Sequence, residues 1–392
     1  MRIGLVLPKV PGYSETFFRS KVKGLTQNGH EVFIFVNKGN NHAFTGAKVR
    51  RSYVVNRNDI LSLLLITGVF IRLIITQPKR IVRFYKLLKA DGKSIFSILR
   101  NFCLNAHILK QDLDWLHFGF ATMVFEREYL AKAIGAKMAI SIRGFDIAIY
   151  PVKNPGCYNG VWPMVDWMHV ISEDLRDKLL ALDFPEDKPI VKITPAIDFN
   201  KFYADRAFHS NHKPVKILSV GRLHWKKGFE YGLGAMAYLK SERIDFKYTI
   251  IGAGEELERL KFAAYQLGVE DRVEFLGAKT ADEVAGFMKQ ADVYFQPSNQ
   301  EGFCNSVLEA QAAGCLCIVS DAEGLSENVV NEVTGWVVPR RDVVSMGTQL
   351  KKVIQLSPSS KFKIIETAQK RVCDTFNIDN QVKEFIRLYE NG

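Results

Sequence analysis

The sequence predicts an α/β protein made of two doubly wound domains, and three observations indicate this class. Apolar strands alternate with amphipathic helices from the start, with a strand expected at 2–7, a helix at 16–27 and a strand at 31–36. This order implies right-handed βαβ units. The alternation pauses at a polar stretch, 205–214, and then resumes. The 392 residues exceed the usual size of a single core, and 47% hydrophobic residues are enough for two.

The polar stretch, together with the segment 195–199, is the expected linker between the domains. The first domain is assigned to 1–198 and the second to 199–372. The remaining segment, 373–392, has apolar residues at a helical spacing, which predicts a C-terminal helix. Further strands of the first domain are expected at 115–117, 138–141 and 167–171.

The start of the chain and its cysteines indicate a cytoplasmic protein. The apolar run at 1–8 is too short for a cleavable signal and is typical of a first parallel strand. The six cysteines, at 103, 157, 304, 315, 317 and 373, lack the paired spacing of a zinc site or a disulfide framework. Free thiols are therefore expected.

The positive charge is concentrated in one insert, 48–112. It holds thirteen Lys or Arg against three Asp, a net charge of +10 when the whole chain carries +11. Basic residues alternate there with apolar runs, which favours contact with an anionic membrane surface; solvated faces on ordinary helices are the alternative. The apolar stretch 61–76 contains Arg72 and is shorter than the roughly 20 residues of a spanning helix. No nucleic-acid recognition motif accompanies the charge, so nucleic acid is not an expected partner.

Two glutamates, Glu301 and Glu309, flank a glycine-containing turn that leads into a predicted helix. Asn305 or Ser306 is expected to cap this helix, which ends at Gly314 before a strand at 316–320. The N–H groups of such a helix start favour a diphosphate, and carboxylates on either side accept hydrogen bonds from hydroxyls. A nucleotide sugar has this pattern, although two glutamates at this spacing are also common on amphipathic helices.

A basic loop strengthens the nucleotide-sugar interpretation. The segment 218–228 is predicted to be a strand, a glycine turn and a loop that carries Arg222 and Lys227. This places both cations at the carboxyl end of a strand, where open α/β sheets bind ligands; the alternative is that they are ordinary loop surface. Segments 248–255 and 273–277 are predicted to deliver further turns to the same sheet edge.

The order and spacing of these motifs resemble the retaining glycosyltransferases of family 4, which have the GT-B architecture. The resemblance covers nearly the whole chain, and the Ser-Glu-Thr-Phe run at 14–17 is most similar to bacterial exopolysaccharide and O-antigen sugar transferases. It implies two Rossmann-like domains facing each other across a cleft, with the C-terminal helix returning to the first. The other matching segments are 29–32, 170–174, 195–198, 221–228 and the glutamate pair.

The resemblance also implies roles for individual residues. Arg222 and Lys227 match the cations that bind the donor diphosphate and neutralise the charge growing on the β-phosphate. Glu301 matches the glutamate that faces the transferred sugar, and with the two cations it is the catalytic prediction, while Glu309 matches the one that holds the ribose. The other predicted donor-binding residues are Gly12, Arg143, Gly221, Gly252, Gly254, Leu276, Phe303, Cys304, Asn305 and Ser306.

The assignments in the first domain stay open. Arg143 occupies a position where the family often has histidine, so it is expected to bind either the sugar or a phosphate, or to pair with Asp146. His117 is a candidate for the acceptor side or a satisfied core histidine. Glu15 either orients the acceptor hydroxyl or caps the following helix. His224 and Trp225 lie beside the phosphate loop without an assigned role.

The function implied by the resemblance is metal-independent, retaining transfer of a sugar from a nucleotide-diphosphate donor. A UDP-sugar is favoured over GDP-mannose, and the acceptor is a polyprenyl-diphosphate-linked bacterial glycan of exopolysaccharide, capsule or O-antigen synthesis. No cofactor or metal is expected besides this co-substrate, and the Asp-x-Asp triplet at 112–114 precedes a strand instead of following one. The protein is expected at the inner face of the plasma membrane. The alternatives are a nucleotide-sugar epimerase of the same fold and a non-catalytic, basic polysaccharide-binding protein.

Overall fold

The structure, a computed structural model, describes residues 1–11, 16–37, 44–52, 60–205 and 214–392, without the side chains of 16 and 60–67. The chain divides into two compact units. The first contains Met1–Ile193 and Gln381–Gly392, and the second contains Thr194–Asn380. These boundaries differ from the predicted ones at 198 and 372, because residues 194–198 and 373–380 belong to the second unit. Part of the expected linker, 206–213, lies outside the described residues.

The described part of the first unit forms a seven-stranded parallel sheet with the order β3-β2-β1-β4-β5-β6-β7. Strands covered on both faces of a parallel sheet are continuous apolar runs, and β1 and β2 are almost entirely buried, whereas the edge strand β3 is basic and partly exposed. The strands are β1 (Arg2–Val6), β2 (Glu31–Val36), β3 (Lys48–Arg51), β4 (Trp115–Phe118), β5 (Lys137–Ile142), β6 (Trp167–Val170) and β7 (Ile190–Lys192).

Among the described residues, seven α-helices accompany these strands, and three of them lie in the basic insert. Phe102 lies at the centre of the insert, with its ring 5.1 Å from that of Phe84 and 5.5 Å from that of Phe70. Within the described chain, no helix is both long and apolar enough to cross a membrane. The helices are α1 (Thr16–Gln27), α2 (Ile60–Thr76), α3 (Pro78–Ala90), α4 (Ile95–Leu109), α5 (Leu130–Ile134), α6 (Tyr150–Lys153) and α7 (Glu173–Leu180).

The second unit forms a six-stranded parallel sheet with the order β10-β9-β8-β11-β12-β13 among its described residues. Counted within the unit, this is the 3-2-1-4-5-6 order of dinucleotide-binding folds, and the first six strands of the other sheet follow it too. The strands are β8 (Val215–Val220), β9 (Phe246–Ile251), β10 (Val273–Phe275), β11 (Val293–Gln296), β12 (Leu316–Ser320) and β13 (Trp336–Val338). The predicted helix at 16–27 and the strands at 31–36 and 316–320 are confirmed.

The helices of the second unit cover its sheet, and the last helix of the chain packs on the first unit. Phe385, Leu388 and Tyr389 of this last helix belong to the first core, and the Trp115 indole donates to the Tyr389 carbonyl at 3.0 Å. The helices are α8 (Phe199–Phe202), α9 (Phe229–Ser241), α10 (Leu257–Gln266), α11 (Ala281–Gln290), α12 (Asn305–Ala312), α13 (Leu325–Asn328), α14 (Val343–Ile354), α15 (Pro358–Thr375) and α16 (Ile378–Asn391).

Candidate active site

The predicted phosphate loop and the glutamate loop leave neighbouring strands of the second sheet. β8 and β11 pair in parallel, and the strand order reverses between them. In such sheets the ligand crevice opens at this reversal, outside the carboxyl ends of the strands. The fold therefore brings the loop with Arg222 and Lys227 next to the loop with Glu301.

Lys227 and Glu301 form an ion pair in this crevice. The Lys227 Nζ lies 2.6 Å from Glu301 Oε2, and the two side chains are 17% and 15% exposed. Burial alone would lower the pKa of Lys227, but the Glu301 carboxylate, with a contribution from Cys304, raises it above its ordinary value. Lys227 is therefore cationic at neutral pH. Arg222 is exposed, and no described residue pairs with it.

Asn299 and His224 hold the basic loop in place through hydrogen bonds to its backbone. Asn299 donates its backbone N–H to the Lys226 carbonyl at 2.7 Å and its side-chain amide to the Trp225 carbonyl at 2.9 Å. The His224 Nδ1 accepts a bond from the Lys226 N–H at 3.3 Å. His224 thus caps the short helical turn that carries Lys227, a role that sequence reasoning did not assign.

Two of the predicted donor-binding glycines, Gly252 and Gly254, allow the loops after β8 and β9 to approach closely. A Cβ on Gly252 would lie 1.8 Å from the Gly221 carbonyl oxygen, and one on Gly254 would lie 2.2 Å from that of Leu223. Gly252 also has a φ of +148°, which side chains rarely adopt. Their missing side chains therefore shape the phosphate loop, whether or not they also contact a ligand.

The start of α12 differs from its prediction. Asn305 or Ser306 was expected as the cap, but Cys304 holds the capping position and makes no side-chain cap bond. The Ser306 hydroxyl lies instead 2.7 Å from the Tyr294 hydroxyl. The capping prediction is wrong, because the Ser306 hydroxyl contacts Tyr294 on β11 and does not cap the helix. Among the described residues, no acceptor meets the N–H groups of Asn305 and Ser306. The helix start therefore keeps free donors for an anion.

Glu309 lies one turn into α12, only partly exposed. Burial raises the pKa of its carboxyl to about 7, although the charge of Lys201 acts in the opposite direction. Among the described residues, no hydrogen bond to this carboxylate is present. The Lys201 ammonium forms an ion pair with Asp282, at 2.8 Å. The Glu309 carboxyl therefore has a pKa close to neutral pH.

Phe303, Cys304 and Leu276 complete the predicted donor side. Phe303 is buried, with its ring 5.7 Å from that of Phe376. Cys304 is buried as well, and burial raises the pKa of its thiol. Leu276 donates its N–H to the Ile250 carbonyl at 3.0 Å at the end of β10. The first-domain candidates Gly12 and Glu15 lie outside the described residues.

Sequence reasoning missed a row of polar side chains beneath the crevice. Tyr294, Gln296 and Ser298 are fully buried and alternate along β11 and its continuation. The available signal was their spacing of two, which places them on one face of an otherwise apolar strand. They connect to Glu301 by hydrogen bonds.

In the first unit, Arg143 lies against aromatic rings. Its guanidinium carbon is 3.8 Å from the ring centre of Phe17 and 4.6 Å from that of Phe18, and its Nε donates to the Gly119 carbonyl at 3.2 Å. Burial lowers the pKa of Arg143 to about 9, so it stays charged at neutral pH. The Asp146 carboxylate accepts bonds from the backbone N–H groups of Arg143, Gly144 and Ala121. The suggested Arg143–Asp146 pairing is therefore made through the backbone.

His117 has the environment of a satisfied core histidine. It is fully buried, and its Nδ1 lies 2.7 Å from the Tyr389 hydroxyl and 3.3 Å from the Lys21 Nζ. Its Nε2 lies 2.7 Å from the Ser141 hydroxyl, which lies 2.8 Å from the His169 Nδ1. Burial holds the pKa of both histidines well below the ordinary value. Both ring nitrogens of His117 are thus occupied by protein groups.

Comparisons with known proteins agree with the geometry of the second unit. Residues 202–371 match the family model described as "Glycosyl transferases group 1". The putative colanic acid biosynthesis glycosyltransferase WcaL of Escherichia coli K12 is 28% identical over 395 residues, 96% of each chain. The UDP-Gal:α-D-GlcNAc-diphosphoundecaprenol α-1,3-galactosyltransferase of Escherichia coli is 26% identical over 57% of this chain and 62% of its own.

Solved structures support the fold over the whole chain. Sucrose-phosphate synthase from Thermosynechococcus elongatus has a TM-score of 0.75 at 17% identity, covering 100% of this chain and 98% of its own. Anabaena HepE, solved in complex with UDP and glucose, has a TM-score of 0.73 at 14% identity and covers 100% of both chains. At these identities the likeness shows the fold, two Rossmann-like domains of the GT-B type.

The fold defines an α/β protein of the GT-B type. Residues 202–371 are a group 1 glycosyltransferase domain, and a relative aligned over 96% of the chain is named as a putative glycosyltransferase. This match favours the glycosyltransferase prediction over the epimerase and binding-protein alternatives.

Proposed function

We propose that the protein is a retaining, family 4 type glycosyltransferase that moves a sugar from a nucleotide-diphosphate donor to a glycan hydroxyl. The observation that carries this proposal is the Lys227–Glu301 pair beside the exposed Arg222, at the strand-order reversal of the second unit. The donor presents an anionic diphosphate next to a neutral, hydroxyl-rich sugar. Cationic side chains are therefore needed for the diphosphate, and a carboxylate is needed to accept hydrogen bonds from the sugar hydroxyls.

The diphosphate has three sources of positive potential in the crevice. Arg222 and Lys227 supply full charges, and the start of α12 supplies free N–H groups. Beyond the phosphate, Glu309 accepts hydrogen bonds from the ribose hydroxyls. Glu301 keeps its Oε1 for the transferred sugar, since Lys227 lies against Oε2.

The reaction breaks the bond between the sugar C1 and the β-phosphate oxygen and forms a bond from C1 to the acceptor oxygen on the same face. The leaving phosphate oxygen takes the proton of the acceptor hydroxyl, so no separate protein base is required. Negative charge grows on that oxygen in the transition state, where Arg222 and Lys227 stabilise it. These cations supply the charge that metal ions provide in other transferases, and we therefore propose a metal-independent reaction.

The donor and acceptor are proposed from relatives. A relative named for UDP-Gal and a diphosphoundecaprenol-linked acceptor favours a UDP-sugar, with GDP-mannose as the second option, and a polyprenyl-diphosphate-linked glycan. A relative named for colanic acid biosynthesis favours exopolysaccharide synthesis.

The experiment is a transfer assay with UDP-, GDP-, ADP- and TDP-sugars and a synthetic prenyl-diphosphate sugar acceptor, with and without EDTA. We expect one donor class to react, unaffected by EDTA, and the anomeric configuration to be retained in the product by NMR. An inverted product would contradict the proposed mechanism, and loss of activity in EDTA would contradict metal independence. Turnover of the donor without an acceptor would instead indicate a nucleotide-sugar epimerase.

The helices of the basic insert support a second proposal, docking on an anionic membrane. Eight large apolar side chains between 71 and 99 are 37% to 81% exposed, and Phe96 is the most exposed of them. They alternate with exposed lysines such as Lys79, Lys86 and Lys89. Apolar side chains among cations are the composition of surfaces that lie in a lipid headgroup layer. The eight are Ile71, Ile74, Ile75, Val82, Tyr85, Ile95, Phe96 and Leu99.

Cosedimentation with vesicles tests this docking. Changing Lys79, Lys86 and Lys89 to Gln removes about 1 kcal/mol of attraction per charge, so we expect binding to phosphatidylglycerol vesicles to weaken roughly 100-fold. The matched control changes the exposed Lys352, Lys363 and Lys370 of the second unit, an equal loss of charge. Equal weakening in both triple variants would mean that only net charge matters and would contradict docking through the insert.

A further inference from the structure

Three polar side chains of one strand form a continuous row beneath the crevice. Tyr294, Gln296 and Ser298 each have 0% exposure. A strand covered on both faces normally carries apolar side chains, and a buried polar group is costly unless it is hydrogen-bonded. These three polar residues therefore occupy positions where the fold alone favours apolar ones.

The three side chains are bonded in series, and we call them the β11 ladder. The Tyr294 hydroxyl donates to Gln296 Oε1 at 2.9 Å, and the Gln296 Nε2 donates to the Ser298 hydroxyl at 2.8 Å. The Ser298 hydroxyl donates in turn to Glu301 Oε2 at a longer 3.4 Å. At its other end, Tyr294 lies 2.7 Å from the Ser306 hydroxyl at the start of α12. The ladder thus contacts both ends of the glutamate loop.

We propose that Gln296 and Ser298 are positioning residues that hold the Glu301 carboxylate toward the transferred sugar. This inference rests on the function proposed above. Lys227 alone fixes a distance to the carboxylate but not its rotation, because an ammonium is a point charge with three rotatable donors. A second donor on the same oxygen fixes the rotation. Oε2 then carries both protein contacts, and no donor from the described residues reaches Oε1.

Gln311 provides a matched control for the ladder. It is also fully buried in the second unit, and its Nε2 donates to the carbonyls of Asn328 and Thr334 at 3.2 and 3.3 Å. Replacing Gln311 with Met removes the same amide from a comparable environment without touching the β11 ladder. A purely structural role would give Gln296→Met and Gln311→Met the same consequences.

The kinetic test compares these two variants in two backgrounds. We expect Gln296→Met to lower kcat about 10-fold while donor KM changes by less than about twofold, because a misplaced group costs transition-state contact. Gln311→Met leaves kcat unchanged. In a Glu301→Gln background, Gln296→Met lowers kcat no further, since it acts through Glu301. Equal kcat in the two Met variants, or a full additional 10-fold loss in the Glu301→Gln background, would overturn the proposal.

Ligand-free crystal structures of both variants separate this inference from the proposed function. We expect the Glu301 carboxylate to rotate or lose its defined position in Gln296→Met and to keep it in Gln311→Met. An unmoved carboxylate in Gln296→Met contradicts the ladder even if the wild type transfers sugar. If the wild type transfers no sugar from any donor, the proposed function fails, and the carboxylate position alone decides the ladder.

Discussion

The two units each contain a series of buried, hydrogen-bonded polar side chains, and they differ in where the series ends. In the first unit it crosses three neighbouring strands through His117, Ser141 and His169, and the His169 Nε2 ends it on the Ile193 carbonyl at 2.9 Å. We call this series the β4–β6 chain. In the second unit, the β11 ladder ends on the Lys227–Glu301 pair, whose side chains are 15–17% exposed.

The β4–β6 chain is closed by protein groups at both ends. The Ile193 carbonyl can only accept, so with both histidines neutral His169 Nε2 donates to it, Ser141 donates to His169 Nδ1, and His117 donates from Nε2 to Ser141. The His117 Nδ1 then accepts from the Tyr389 hydroxyl. Lys21 is buried beside it with Nζ 3.9 Å from the centre of the Phe385 ring, and burial holds the pKa of Lys21 well below its ordinary value. A fully satisfied network of this kind fixes one packing of α16 on the sheet. At the other end of the comparison, the β11 ladder reaches Glu301, whose Oε1 meets no donor among the described residues and can accept a hydrogen bond from a substrate.

The largest expected effect comes from removing the lysine of the ion pair in the crevice, compared with removing the lysine of an ion pair outside it. Lys227→Ala removes a cation that stabilises the leaving phosphate, so we expect kcat/KM to fall roughly 100-fold or more while the far-UV circular dichroism stays native. The control is Lys178→Ala, because Lys178 pairs with Asp174 at 2.7 Å in the first unit. Steady-state kinetics of both variants check this. Near wild-type turnover by Lys227→Ala would remove the phosphate assignment.

A smaller effect is expected from the titration of Glu309. Its pKa is raised to about 7, and only the ionised form accepts bonds from both ribose hydroxyls. UDP-sugar affinity should therefore rise about tenfold between pH 6 and pH 8, with release of a proton on binding. Calorimetry of the wild type and of Glu309→Gln measures this. The variant should bind weakly with no such pH dependence, and an identical pH dependence in both proteins would remove Glu309 from the ribose site.

Glu309 also carries a stability prediction of known sign. A carboxyl whose pKa is higher in the folded state than in the unfolded state stabilises the fold at low pH, and that contribution is lost as the pH rises from about 4.5 through about 7. Glu309→Gln should therefore have a higher Tm than the wild type at pH 8 and a similar Tm at pH 4.5. A Tm gain of equal size at both pH values would show that the carboxyl does not titrate as the structure indicates.

The smallest expected effect compares two buried tyrosines. Tyr294→Phe and Tyr389→Phe each remove one hydroxyl from a side chain with at most 1% exposure. Each loses a hydrogen bond worth about 1 kcal/mol of unfolding free energy, measured by urea denaturation. Only Tyr294→Phe should also lower kcat, by a few fold, since only it belongs to the β11 ladder. A loss of kcat in Tyr389→Phe but not in Tyr294→Phe would contradict the link between the β11 ladder and the active site.

Much of the fold and the main cations and carboxylates of the site could be predicted from the sequence. The βαβ alternation predicted a parallel sheet in each domain because strands buried on both faces are apolar runs, but the short strands β3, β7, β11 and β13 were not predicted. Arg222, Lys227 and Glu301 could be placed together because loops that follow parallel strands meet at one sheet edge.

The β11 ladder, the helix cap and the setting of Arg143 could not be predicted in this way. Each depends on contacts between separate elements of the fold. The Ser306 hydroxyl contacts Tyr294 on β11 instead of capping its own helix, and the Arg143 guanidinium lies against the rings of Phe17 and Phe18 of α1. Local propensity describes neither kind of contact. The choice between the two interpretations of His117 likewise required the position of Tyr389, on the last helix of the chain.

Hydrogen–deuterium exchange with and without UDP tests most directly that the crevice of the second unit, and not the β4–β6 chain, holds the nucleotide. The N–H groups of Asn305 and Ser306 meet no acceptor among the described residues, so a bound diphosphate should slow their exchange, together with that of 221–228. We expect this protection in the wild type, its loss in Lys227→Ala, and no change in 115–118 and 167–170. Protection confined to those first-unit strands, or none at 221–228 and 303–309 under saturating UDP, would contradict the account.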